Sequence, residues 1–272
     1  MSIHRRIRRG AVFAGSALLL ASCSVSSGRA RPAVLPEPET EAKPALFVPP
    51  PVLAPPADSD GVPVWEAARK ATGKRIVVST EKRWLWLMQG KDTLLSAPVA
   101  VGMGRSFEFE GKKYHFTTPR GRRRVVSKEE NPIWTVPEWH YLEKAAHRGL
   151  EVVRLQKGQS HTLSDGSIIE VRDDQVGRVN TKGQFWPWTP GMEIIFDGKI
   201  FIPPFGTAQR KVPNALGPVK LDMGNGYLIH GTHVYNEKSI GEAVSHGCVR
   251  MRNEDVLRLY ELVEPGTPVY IY

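Results

Sequence analysis

From residue 74 onward the apolar positions recur with the short periods of β-structure. Ile76, Val77 and Val78 make 75–79 a strand, and the alternation through Trp84, Leu85, Trp86, Leu87 and Met88 makes 83–88 a second. Gln89-Gly90-Lys91-Asp92 supplies a turn into a third strand, 94–102, which ends on a glycine. Further strands are predicted at 122–127, 194–196, 199–202, 226–230 and 267–272. Three stretches read as helices: 64–72, stopped by Gly73; 137–148, stopped by Gly149; and 253–263. In the last, Asn253 is placed to cap, Glu254 and Asp255 sit at the positive end, and Val256, Leu259, Tyr260 and Val263 form one apolar face before Pro265-Gly266. Residues 149–190 lack a clear period, and their polar turns (Ser164-Asp165-Gly166, Asp173-Asp174) suggest an inserted β-rich lobe. The expectation is a mostly β domain over 64–272, a sandwich or partly open barrel with a few short helices and an insertion at about 128–200.

The N-terminus follows a different pattern. Arg5, Arg6, Arg8 and Arg9 precede an apolar run from Ala11 to Leu20, too short to span a bilayer permanently. Leu20-Ala21-Ser22-Cys23 follows, and this order resembles the lipobox of bacterial lipoproteins. The resemblance implies cleavage after residue 22 and a lipid on Cys23; an ordinary secretory signal is the alternative. Ser24 after Cys23, in place of aspartate, implies the outer membrane if the cell is Gram-negative. Residues 23–63 are rich in proline, alanine and acidic residues, as in Pro36-Glu37-Pro38-Glu39 and Pro49-Pro50-Pro51. Such composition buries no core and favours extended conformations. As a tether, about 40 residues at roughly 3 Å each reach on the order of 120 Å.

Charge narrows little. Loss of residues 1–22 removes four basic and no acidic residues, which lowers the formal net charge from +9 to +5. That suits an anionic envelope polymer without requiring one. No aromatic-and-basic motif points to nucleic acid.

The chemistry concentrates at Ser245-His246-Gly247-Cys248-Val249-Arg250, with His230 eighteen residues upstream of Cys248. The chain has two cysteines; if Cys23 carries lipid, Cys248 is left as a free thiol. An imidazole beside a thiol is the composition of a nucleophile and its base. His246 is nearer in sequence, and residues two apart on an extended strand point the same way, so both His230 and His246 qualify as base on sequence grounds. Gly247 lets the backbone approach a substrate and leaves main-chain N–H groups around Cys248 for an oxyanion.

His230-Gly231-Thr232, then Ser239-Ile240-Gly241, then Ser245-His246-Gly247-Cys248-Val249-Arg250-Met251 resembles the signature of the L,D-transpeptidase catalytic domain (YkuD-like) family. Thr118-Pro119-Arg120-Gly121, Leu216-Gly217-Pro218 and the closing Pro265-Gly266-Thr267-Pro268-Val269 are similar as well, and the likeness covers roughly 74–127 and 200–272. The resemblance implies a cysteine acyltransferase of peptidoglycan, without cofactor or metal. Cys248 would attack a stem tetrapeptide, release D-alanine and form a thioester. An amine would then resolve it, giving 3-3 cross-links or attachment of a protein such as a wall-attached lipoprotein. The same likeness assigns His230 as base and the Gly231 carbonyl as the group that holds its tautomer. It makes His246 and Gly247 supporting residues, and Arg250 and Ser245 substrate-binding ones. The implied location is the periplasmic side of the cell envelope, on a lipid anchor.

Other readings draw on the same residues. A thiol hydrolase of the carboxypeptidase or endopeptidase type would use the same acyl-enzyme with water. A wall-binding module would leave Cys248 and His230 idle. Zinc could draw on His230, His233, His246 and Cys248, but no second cysteine or carboxylate has zinc-like spacing. Trp134, Trp139, Trp186 and Trp188 could line a substrate groove, although packing is the commoner role. The Arg120-Gly121-Arg122-Arg123-Arg124 run is either a solvated strand end or a contact for anionic polymer.

Overall fold

A computed structural model describes residues 62–272. The signal segment, Cys23 and the tether before residue 62 lie outside the described residues.

Two sheets share one apolar core. The first is five-stranded, in the order Asp92–Pro98, Trp84–Gln89, Lys74–Ser79, Pro268–Ile271, Gly121–Arg124. The second is four-stranded, in the order Val249–Arg250, Leu228–His230, Val219–Asp222, Ser127–Glu130. Period-2 alternation decides what each face carries. Leu85, Leu87, Ile76, Val78, Val269 and Ile271 of the first sheet meet Val219, Leu221, Ile229 and Val249 of the second. The apolar face of helix α3 (Asn253–Leu262), through Val256 and Leu259, packs into the same core. Helix α1 (Val64–Lys70) lies on the outer face of the first sheet, against Val77 and Tyr270.

Two strands end earlier than the sequence pattern predicts. The predicted 94–102 strand breaks at Pro98, which has no N–H to donate; Val101–Gly102 then pairs separately with Ala243–Ser245. The predicted 122–127 strand divides between the two sheets. Gly121–Arg124 pairs with Pro268–Ile271, Val125 turns into the core, and Ser127–Glu130 pairs with Val219–Asp222. The chain switches sheets there, as strands at sandwich corners do. No element is predicted near 105–116, yet Arg105–Phe109 and Lys112–Phe116 form a hairpin. Its signal was present: Phe107, Phe109, Tyr114 and Phe116 alternate around Glu110-Gly111, both at positive φ (50° and 75°), as a primed turn needs.

Between the second sheet's strands Ser127–Glu130 and Val219–Asp222 the chain builds a lobe of its own. Trp134–Thr135 pairs with Lys211–Val212 at its base, so the lobe runs over about 134–212. Helix α2 (Glu138–Arg148) packs Tyr141, Leu142 and Ala145 against Phe107 and Phe116 of the hairpin and against Ile200 and Ile202. Gly149 stops it in the left-handed conformation, φ 63°, as the sequence predicts. A four-stranded antiparallel sheet, from Ser160–Thr162 to Phe185–Pro187, completes the lobe.

Candidate active site

The second sheet places the reactive side chains. Leu228–His230 pairs in parallel with Val249–Arg250, with Ile229 opposite Val249 and His230 opposite Arg250. Ile229 and Val249 point into the core, so His230 and Arg250 share the outward face. Cys248, two residues before Arg250, falls on that same face at the entry to its strand. A parallel pair needs a crossover, and residues 231–248 supply it through the 3-10 helix Val234–Ser239 and the short strand Ala243–Ser245. Residues twenty apart in sequence thereby become neighbours across one ladder.

His230 is buried, and its Nδ1–H donates to the Gly231 carbonyl at 2.6 Å. That bond puts the ring's lone pair on Nε2. A Cβ at Gly231 would lie 2.4 Å from Asn253 Oδ1 and would force that side chain to move. Asn253 does not cap α3 as its position predicts. Its side-chain oxygen accepts instead from the Thr232 N–H at 2.9 Å, pinning the chain just beyond His230.

The cysteine loop is held from within. Ser245 is fully buried; its hydroxyl donates to the Cys248 carbonyl at 2.6 Å and accepts from the Gly247 N–H at 3.1 Å. Two sequence expectations are corrected by this clamp. Ser245 has no surface to offer a substrate, and the Gly247 N–H is committed to Ser245 and does not face an oxyanion. Gly247 has φ 130°, and a Cβ there would sit 2.9 Å from the Tyr227 ring and 3.1 Å from the Thr117 carbonyl. Gly247→Ala should therefore cost about 1–3 kcal/mol of backbone strain plus the collision and displace Cys248. The expected result is at least a ten-fold fall in the alkylation rate of Cys248 by iodoacetamide, with far-UV circular dichroism retained.

Cys248, His230, His246 and Arg250 all line one cavity of about 840 Å³. Its opposite wall comes from the lobe and the hairpin: Trp134, Trp139 and His140, with Tyr114 and Phe116. The tryptophans thus divide. Trp134 and Trp139 line the cavity, Trp188 packs inside the lobe, and Trp186 is exposed. No carboxylate among the described residues forms an ion pair with Arg250. Nor does any group of three or more His, Cys, Asp or Glu side chains among them converge as a metal site requires.

Residues 73–271 match the sequence profile of the L,D-transpeptidase catalytic domain (YkuD). The chain belongs to the L,D-transpeptidase catalytic-domain family. Among its relatives, the probable L,D-transpeptidase ErfK/SrfK of Escherichia coli K12 is 41% identical over 153 residues, covering 50% of this chain and 48% of that protein. The probable L,D-transpeptidase YbiS of the same strain is 40% identical over 83 residues, covering 30% of this chain and 26% of that one. The chain thus spans about half or less of the length of these relatives. An L,D-transpeptidase structure from Mycobacterium smegmatis aligns with 73% of this chain and 58% of its own at 13% identity and a TM-score of 0.37.

In this L,D-transpeptidase domain burial favours the neutral forms of both the thiol and the imidazole. Burial pushes the His230 pKa down to about 4, helped by the Arg250 charge and opposed by the carbonyls of Gly231 and Leu216. Burial likewise pushes the Cys248 thiol up, against the lowering effect of the Leu228 backbone and of Arg250.

His246, the nearer histidine, is turned elsewhere. Its Nε2 lies 2.9 Å from Glu143 Oε2 of α2. Its ring stacks on Trp139 at 4.4 Å between centroids and meets the edge of Phe116 at 4.5 Å. Glu143 and Phe116 went unnoticed in the sequence. Nothing local marks Glu143, since its partner is 103 residues away; the aromatic alternation around Glu110-Gly111 could have found Phe116.

Proposed function

We propose that the protein is a peptidoglycan L,D-transpeptidase in which Cys248 is the nucleophile and His230 its general base. The observation that carries this is the shared outward face of a parallel strand pair, where Cys248, His230 and Arg250 open into one cavity. The donor is a stem tetrapeptide. His230 Nε2 takes the thiol proton as Sγ attacks the carbonyl of the third residue, then passes that proton to the departing D-alanine amine. The Gly231 carbonyl, 2.6 Å from Nδ1, keeps the ring in the tautomer this requires. Arg250, half-buried in the cavity wall, is suited to a donor carboxylate. The Cys248 N–H remains the main-chain donor for the oxyanion. An amine then attacks the thioester, giving a 3-3 cross-link or attachment of a wall-bound lipoprotein. The composition of residues 1–63 supports an enzyme anchored by lipid at Cys23 on the periplasmic side of the envelope, reaching its polymer on the 23–63 tether.

Incubation of the purified chain with disaccharide-tetrapeptide, followed by mass spectrometry, tests the acceptor. A dimer lacking one D-alanine is expected. A tripeptide without dimer would replace transpeptidation by thiol hydrolysis. Absence of any product would remove the catalytic reading.

A further inference from the structure

The Glu143–His246 contact is not used by a mechanism that needs one base, yet it has the geometry of a second one. We propose that Glu143 and His246 form an acid–base pair that strips the surplus proton from an ammonium acceptor entering the cavity. This rests on the acyl-transfer reading above.

Proton bookkeeping creates the need. An alkyl amine, with a pKa of about 10, arrives at pH 7 as an ammonium and has no lone pair. Thioester aminolysis must therefore remove two protons from nitrogen. His230 removes one and returns it to Sγ as the C–S bond breaks. The other has no recipient in the Cys248–His230 pair.

His246 is built to take it. Burial pushes the Glu143 carboxyl up, but the His246 hydrogen bond and the neighbouring imidazoles together hold it below the usual carboxylate range. An ionised carboxylate can only accept, so Nε2 of His246 carries the hydrogen, and in the neutral ring the lone pair is at Nδ1. The ring cannot swing away, because Trp139 covers one face and Phe116 abuts it. His246 lines the same cavity as Cys248, two residues from it in the chain. The other titratable groups around the pair are His140, held neutral by burial with a pKa of about 4, and His147; Lys144 and Glu193 act on His140.

The step balances. One ammonium proton passes to His246 Nδ1, and the freed lone pair bonds to the thioester carbon. A second N–H proton goes through His230 Nε2 to the leaving Sγ, and His246 later returns its proton to solvent. Amide, thiol and one released proton are the products. Glu143 touches neither substrate nor thioester, so it is a positioning residue that acts through His246.

The test compares two nucleophiles on the same acyl-enzyme. The full chain is acylated with disaccharide-tetrapeptide and chased at pH 7 with either a diaminopimelate-containing tetrapeptide, an ammonium, or methoxylamine, which is already neutral. Glu143→Gln keeps an acceptor for Nε2–H but loses the charge. Its preference for the ammonium acceptor over methoxylamine should fall by about ten-fold or more, the scale of a weakened general base. His246→Gln should show the same loss, and the double variant should be no worse than His246→Gln alone. Equal losses with both nucleophiles would make Glu143 a structural prop and overturn the proposal, as would no loss with either. If Glu143→Gln does not fold, His246→Gln carries the comparison. A wild-type chain that forms no thioester would fail at the acylation step and overturn the parent reading, a result distinct from acylation without selective loss.

Discussion

Cys248→Ala is expected to abolish the acyl-enzyme and all product. Intact-mass spectra of the wild-type chain with donor should show the adduct of a tetrapeptide less D-alanine, and spectra of the variant none. No other described cysteine can substitute, and Cys23 lies outside the described residues. The thiol's raised pKa makes this loss depend on an intact base, because little thiolate pre-exists at neutral pH. The fold should survive: Cys248 is only half-buried, the short bonds of its loop run through the Ser245 hydroxyl and the Cys248 backbone, and Sγ contributes only a long contact of 4.0 Å to the Gly226 carbonyl. Product formation by the alanine variant at the wild-type rate would remove Cys248 from the mechanism.

His230→Gln should lower kcat/KM on the order of 10³-fold, the scale of a lost general base. The wild-type acylation rate, read as thioester formation by intact mass, should hold down to unusually low pH, since an imidazole with a pKa of about 4 stays unprotonated well below the ordinary 6.5. An acid limb near pH 6.5 would contradict the buried, neutral base. Stability changes in the same window. The folded-state pKa is depressed, so the unfolded chain binds the proton first, and stability falls as pH drops from about 6.5 towards 4. The fall from 6.5 to about 4 corresponds to about 3 kcal/mol, most of it lost by pH 4 and the rest below it. His140 contributes in the same direction, for the same reason of burial. Urea melts at pH 7 and pH 4.5 should therefore show a smaller acid loss in His230→Gln than in the wild type. Equal losses would place the acid sensitivity elsewhere.

Much of this was legible in the chain. Period-2 alternation in 83–88 follows from one apolar face per strand, and Gly149 stops α2 for the reason that glycine adopts positive φ; the strand Val219–Asp222 is not among those predicted. The errors share a cause. Pro98 and Val125 look like continuing strand because local pattern carries no information on which sheet a residue will join. Asn253 has the chemistry of a cap but spends its oxygen on Thr232, a choice made by where the crossover passes α3. Ser245 reads as a polar residue in a reactive loop, and only the folded loop shows both bonds of its hydroxyl turned inward.

By itself the sequence determined the mostly β pattern, the family signature and the reactive types, Cys248 with His230 and His246, because these rest on local periodicity and residue chemistry. The tertiary structure decided the different surroundings of the two histidines. A parallel ladder puts His230 on the face of Cys248 and Arg250, and burial keeps it neutral. His246 is claimed by a carboxylate from a lobe helix 103 residues away. Contacts of that separation depend on how sheets, lobe and crossover close on one another, which no local pattern encodes.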